Sequence, residues 1–146
     1  MIRGRFGQTT GRPYIEGRLI IPKLNVDAIV SFLVDTGADT SLLAPADGRA
    51  VGVDHQRLGK VVTSLGTGGL AESQTVRASL VFTDPGRAHY IYHLDPLDVA
   101  VPHPDIDEMP SLLGREVLDR WRMTYDPTKP ELSFRVRSAD RVVPIS

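Results

Sequence analysis

The chain has 146 residues, a net charge of −1 at pH 7 from 17 basic and 18 acidic side chains, and no cysteine. That length suits one domain with a single core, and the lack of cysteine removes disulfides, a thiol nucleophile and cysteine-ligated zinc. The charges are interspersed, leaving no electrostatic footprint for nucleic acid or an anionic membrane, so neither is expected as a partner.

Residues 1–13 are rich in Gly, Arg and Thr with little periodicity, and predict a flexible N-terminal arm that orders only against a partner. Met1-Ile2-Arg3-Gly4-Arg5 leads into polar residues rather than an apolar signal core, and the longest apolar run, Ala28 to Val34, is too short to span a bilayer. A soluble, cytoplasmic protein is the expectation. From Tyr14 to Ile21, Ile15, Leu19 and Ile21 are set against Glu16 and Arg18 as in a half-buried strand, and Pro22-Lys23-Leu24-Asn25 supplies turn chemistry. Asp27 to Val34 reads as the second strand of a hairpin, which delivers Asp35 at its end.

The strand stops abruptly at Asp35-Thr36-Gly37-Ala38-Asp39-Thr40-Ser41. Gly37 lets the backbone turn sharply or lets another chain approach closely. A carboxylate at the end of a buried strand is costly unless paired or hydrogen-bonded, and such costs are commonly tolerated for function. The bland alternative is that Asp35 and Asp39 only form Asx-turns.

Further on, Pro45 is placed as a first helical residue, with Ala46 to Val51 completing a short helix stopped by Gly52. Lys60 to Leu65 and Gly69 to Arg77 read as strands flanking Gly66-Thr67-Gly68-Gly69. An ordinary turn accounts for one or two glycines, whereas three in four residues favour a mobile tip or close backbone contact with a ligand. A phosphate cradle is disfavoured because no helix start with Lys-Ser or Lys-Thr follows. Ala78 to Thr83, the turn Asp84-Pro85-Gly86 and Ala88 to Leu94 predict another hairpin, so the core is expected to be all-β. His89 and His93 fall on one strand face but too far apart to share an ion easily; no metal or other cofactor is expected. Asp95 to Pro110 reads as loop with a short strand over Val99 to Val101, its acidic residues a solvated rim. Leu112-Leu113-Gly114-Arg115-Glu116-Val117-Leu118 is a strand running into an amphipathic helix that buries Val117, Leu118 and Trp121. Strands from Met123 to Tyr125 and Glu131 to Val136, joined by the turn Asp126 to Pro130, precede a tail over 137–146.

Two of these stretches carry a resemblance. Leu33-Val34-Asp35-Thr36-Gly37-Ala38-Asp39-Thr40-Ser41-Leu42 resembles the active-site loop of the retropepsin family, the dimeric aspartic proteases of retroviruses and their cellular relatives. Leu112-Leu113-Gly114-Arg115 resembles the apolar-apolar-Gly-Arg segment that precedes the short C-terminal helix of those proteins. The resemblance implies an all-β, retropepsin-like acid protease barrel with one short C-terminal helix over residues 14–136, homodimeric, with 137–146 open to a role in the dimer interface. It implies that Asp35 is catalytic, that Thr36, Gly37, Ala38, Asp39 and Arg115 support the loop, Arg115 by pairing with Asp39, and that Leu65, Gly66, Thr67, Gly68, Gly69 and Leu70 form a substrate-binding flap. Peptide hydrolysis by carboxylates needs two of them together, and the chain holds a single Asp-Thr-Gly, so the second Asp35 must come from another copy.

The expected function is therefore that of an aspartic endopeptidase acting on a peptide or protein substrate. The alternatives are a catalytically silent peptide-binding or dimerisation module on the same fold and, more remotely, a β-barrel that binds a small molecule. Thr40 stands where viral members often carry an acid, and the Asp95 to Pro110 segment and the tail have no clear counterpart in the family.

Overall fold

The computed structural model describes residues 1–66 and 69–146, with the side chains of 64–66 and 69–71 outside that description. In chain order, β1 is Ile2–Arg3, β2 Arg5–Phe6, β3 Pro13–Ile21 and β4 Val26–Val34, with a 3-10 turn over Pro22–Leu24 between the last two. Then come β5, Leu42–Leu43; helix α1, Pro45–Val51; β6, Val62–Gly66; β7, Gly69–Asp84; and β8, Ala88–Ala100. The chain closes with β9, Ser111–Leu113; helix α2, Arg115–Leu118; β10, Trp121–Asp126; β11, Glu131–Val136; and β12, Arg141–Pro144.

Hydrogen bonding runs through β8-β5-β9-β4-β3-β7 and returns from β7 to β8, which closes a six-strand barrel. Closure removes the edges that an open sheet would expose. The alternation read in the sequence decides which side chains fill the barrel: along β3, Ile15, Leu19 and Ile21 are buried while Glu16 and Arg18 are exposed. Phe32, Leu43, Leu80, Phe82, Leu97, Val99 and Leu113 complete the interior from the other strands, each such side chain contributing roughly 1.5–3 kcal/mol relative to exposure. At Gly17 an added Cβ would lie 2.7 Å from the Phe82 ring, so β3 and that ring approach more closely than any side chain permits.

A three-stranded sheet, β1-β11-β10, packs beside the barrel. Its anchor is Trp121, whose ring meets Phe82 edge-on at 4.8 Å and Phe134 at 5.0 Å, and whose Nε1–H donates to the Tyr92 hydroxyl at 2.6 Å. That hydroxyl in turn donates to the Ser138 carbonyl at 2.9 Å, so the one indole and its buried partner both have their polar groups satisfied.

Several elements differ from the sequence expectation. Residues 1–13, expected to order only against a partner, pair within the chain: β1 with β11, burying Ile2, and β2 with β3. The two strands expected over Gly69 to Arg77 and Ala78 to Thr83 are one, β7, whose pairing to β8 shifts register between Val76 and Ala78. That irregularity takes up the Asp95-Pro96 step on the facing strand, so β8 runs on to Ala100 where a loop was expected. The tail also contains β12, paired with Ala88 to Ile91 of β8. The expected helix over Ala46 to Val51 forms with Pro45 at its start and ends at Gly52, whose φ of 85° suits the residue without a Cβ. Among the described residues, no helix is long and apolar enough to cross a membrane.

Candidate active site

Strand β4 delivers Asp35 by pairing in parallel with β9, Val34 opposite Leu113. The pairing extends one residue further, since the Asp35 N–H donates to the Leu113 carbonyl at 3.1 Å. Beyond this the chain turns. Asp35 Oδ1 accepts the Gly37 N–H at 2.9 Å, and the Asp35 carbonyl accepts the Ala38 N–H at 3.2 Å. The Asx-turn considered from the sequence is therefore present. It fixes the Asp35 side chain and engages only one of its oxygens among the described residues, leaving a half-buried carboxylate beside exposed Thr36 and Gly37.

The far side of the loop is fastened to the start of α2. The Arg115 N–H donates to the Ala38 carbonyl at 2.8 Å and the Glu116 N–H to the Asp39 carbonyl at 3.3 Å. The Arg115 guanidinium meets the Asp39 carboxylate, joining the two residues the resemblance had linked. Asp39 is 81% exposed, so this ion pair is worth little as energy; its effect is to orient the loop. Gly114 explains how the segments come so close: a Cβ there would stand 2.5 Å from the Thr40 carbonyl carbon and 2.7 Å from its oxygen.

Two residues that the sequence reading left out complete the attachment. Ser41, fully buried, donates both its N–H, at 2.6 Å, and its hydroxyl to Glu116 Oε1, and its hydroxyl oxygen accepts the Gly114 N–H at 3.0 Å. The Ser41 N–H and hydroxyl and the Gly114 N–H are thus all paired at this crossing. The signal in the sequence was slight: a serine breaking an apolar run, and an acid beside the arginine. Nearby, the Thr40 hydroxyl donates to Asp98 at 2.9 Å, and Ser111 links β9 to α1 by accepting the Ala44 N–H and donating to Asp47.

Burial pushes the Glu116 carboxyl above its ordinary pKa, with the Asp98 charge adding to the rise and the bonds from Ser41 opposing it. The folded state therefore holds this proton more tightly than the unfolded chain. Its stabilising contribution is complete below the unfolded-state value and is lost as pH rises through the raised one. Glu116→Gln, which keeps the acceptor oxygen for Ser41, should gain in Tm relative to wild type as pH climbs through that window and then level off. Thermal melts from acidic to neutral pH check this; a difference in Tm that does not change with pH contradicts it.

The glycine-rich hairpin is present as the antiparallel pairing of β6 with β7, from Val62 opposite Ser73 to Gly66 opposite Gly69. Of the expected flap, Thr67 and Gly68 lie outside the described residues, as do the side chains of Leu65, Gly66, Gly69 and Leu70; only the backbone pairing of those four is given. His89 and His93 each bond a hydroxyl on β7, Thr83 at 2.8 Å and Ser79 at 2.9 Å, and among the described residues no group of three ligating side chains forms.

No protein-family model matches the chain, and no curated protein matches it. Solved structures do. A retropepsin-like aspartic protease from Rickettsia conorii superposes with a TM-score of 0.59 at 25% identity, over 90% of this chain and 95% of that one. The EIAV protease complexed with the inhibitor HBY-793 gives a TM-score of 0.46 at 24% identity, over 77% of this chain and 90% of that one.

Proposed function

From the retropepsin-like fold of this chain, we propose that it is an aspartic endopeptidase whose catalytic dyad is formed by Asp35 from each of two subunits. The observation that carries this reading is the placement of Asp35. It sits at the end of a barrel strand, half-buried, one oxygen fixed by Gly37, on a loop fastened by backbone bonds to Arg115 and Glu116. A reactive group held this way on a rigid scaffold needs little reorganisation during reaction.

Two carboxylates brought into contact cannot both ionise cheaply, so they share a proton, as aspartic-protease dyads in general do. The ionised member takes a proton from water as its oxygen attacks the peptide carbonyl carbon. The protonated member hydrogen-bonds the carbonyl oxygen, where negative charge develops, and a proton then passes to the leaving nitrogen as the C–N bond breaks. Gly37 leaves room for the substrate backbone, and Thr36, exposed next to Asp35, is assigned to the contact between the two loops. Leu65 to Leu70 is assigned as the flap that covers an extended peptide, with Ala38, Asp39 and Arg115 as loop support.

A dyad shared between subunits makes activity depend on association. Cleavage of a peptide substrate per chain should fall on dilution through the same concentration range in which sedimentation shows dimer giving way to monomer. Full specific activity in a monomeric sample would contradict a shared dyad, and a dimer that cleaves no peptide would favour the silent binding module.

A further inference from the structure

Gln74 lies on β7 and is 5% exposed, yet both ends of its amide are engaged. The nitrogen donates to the His55 carbonyl at 3.0 Å and to the Gly59 carbonyl at 2.9 Å. Carbonyl oxygens only accept, which fixes the amide nitrogen on their side and turns Oε1 toward the His55 ring, 2.8 Å from Nδ1. Nδ1 therefore carries the hydrogen and donates it to Oε1. One buried side chain thus ties down the ring and backbone of the 3-10 turn His55–Arg57 and the glycine beyond it.

What Gln74 ties is the segment that leads into the β6–β7 hairpin. Among the described residues, the other hydrogen bonds of 53–60 are local: the Val53 N–H reaches Gly48 of α1, and the Gln56, Arg57 and Leu58 N–H groups stay within the turn. Leu58 is buried in the core, but residues 59–63 are exposed. The two arms of the hairpin are therefore held differently. β7 is paired to β8 from Ser73 onward, whereas β6 has β7 as its sole strand partner among the described residues. Pairing of β6 with β7 begins at Val62 opposite Ser73, the residue next to Gln74. The amide thus fastens the weaker arm at the base of the hairpin.

We propose that Gln74 is a positioning residue for the hairpin assigned above as the flap: through His55 and Gly59 it fixes where β6 leaves the barrel, and hence where the flap meets a bound peptide. This inference rests on the proteolytic reading and adds to it a residue that touches neither substrate nor Asp35. The chemistry demands an amide. A carboxylate of the same size would set its oxygens against two carbonyl oxygens, and a thioether would leave both carbonyls and the ring N–H without a partner.

Gln74→Glu and Gln74→Met test this by amide hydrogen exchange and by peptide cleavage. In both variants the amides of β6 should exchange at least about 10-fold faster relative to those of β3 and β4. KM for a peptide should rise by about 10-fold while kcat stays within about twofold of wild type, because the flap holds substrate and transition state alike and the dyad is untouched. Rescue separates positioning from a general loss of stability. As pH falls, the Glu side chain protonates and regains a donor for one carbonyl, so its KM should return toward that of wild type at the same pH, while the Met variant stays impaired. Unchanged exchange in β6 overturns the tie itself. Faster exchange with an unchanged KM, or no difference between the two variants at any pH, overturns the positioning role and leaves the endopeptidase standing. A wild-type chain that cleaves no peptide, with the exchange difference intact, overturns the endopeptidase and the positioning role with it, and leaves the tie.

Discussion

Asp35→Asn is expected to lower peptide cleavage by more than about 10³-fold while the chain remains folded. The substitution keeps the side chain's size and leaves an oxygen to accept the Gly37 N–H, so the turn that closes at 2.9 Å is retained. What is lost is the capacity to ionise or to share a proton, which the proposed reaction uses twice, first to activate water and then to protonate the leaving nitrogen. The comparison is direct: turnover on a peptide substrate, with thermal melts of both proteins to show that the fold is unchanged. Residual cleavage near the wild-type rate would remove Asp35 from the reaction.

The second large effect is structural. Gly114→Ala places a methyl group 2.5 Å from the carbonyl carbon of Thr40 and 2.9 Å from its Cα, against backbone that cannot rotate away. The φ of Gly114, −92°, is open to any residue, so the constraint is space rather than conformation. Either the Asp35 loop or the start of α2 must move, at the expense of the bonds from Gly114 N to Ser41 and from Arg115 N to Ala38. Overpacking of this kind costs on the order of 1–3 kcal/mol, which for a chain of this size lowers Tm by roughly 3–10 °C. Activity should fall further than stability alone explains, because the displaced segment carries Asp35, the carboxylate to which the proposed reaction is assigned. Gly48→Ala is the control: its Cβ would lie 3.8 Å from Val53, an ordinary contact, and its Tm should stay close to wild type. Equal melting temperatures for the two variants would contradict this account of Gly114.

Much of the barrel could be read from side-chain alternation. The strands around Tyr14 to Ile21 and Asp27 to Val34 emerged within a residue of their observed starts, and Glu131 to Val136 without any offset, because one face of each is buried and the other solvated. Pro45 and Gly52 marked α1 by backbone chemistry alone. Strands of two to four residues, such as β1, β5 and β12, are too short to show a period and are held by pairing with distant segments. For β8 the obstacle was Asp95-Pro96, which reads as a break until β7 is seen to shift register opposite it.

At the site, Asp35, Asp39 and Arg115 could be singled out because two separate stretches of the chain resemble one family, and the resemblance implied the Arg115–Asp39 pair that the structure contains. Ser41 and Glu116 could not, although they make the buried half of the same attachment. They lie 75 residues apart, and nothing local to either one discloses the other. The loop is therefore secured less by its exposed ion pair than by backbone bonds and by a serine whose hydroxyl both donates and accepts in a space only a glycine leaves open.

The central claim, that one active centre takes Asp35 from two chains, is tested most directly by mixing wild type with Asp35→Asn. The two proteins are unfolded together, refolded at a fixed total concentration in varied proportion, and assayed for peptide cleavage. If a centre needs both aspartates, activity follows the square of the wild-type fraction, and an equal mixture retains about one quarter of the wild-type rate. Activity that falls in simple proportion, leaving about one half in the equal mixture, would mean that each chain works alone and would contradict the shared dyad.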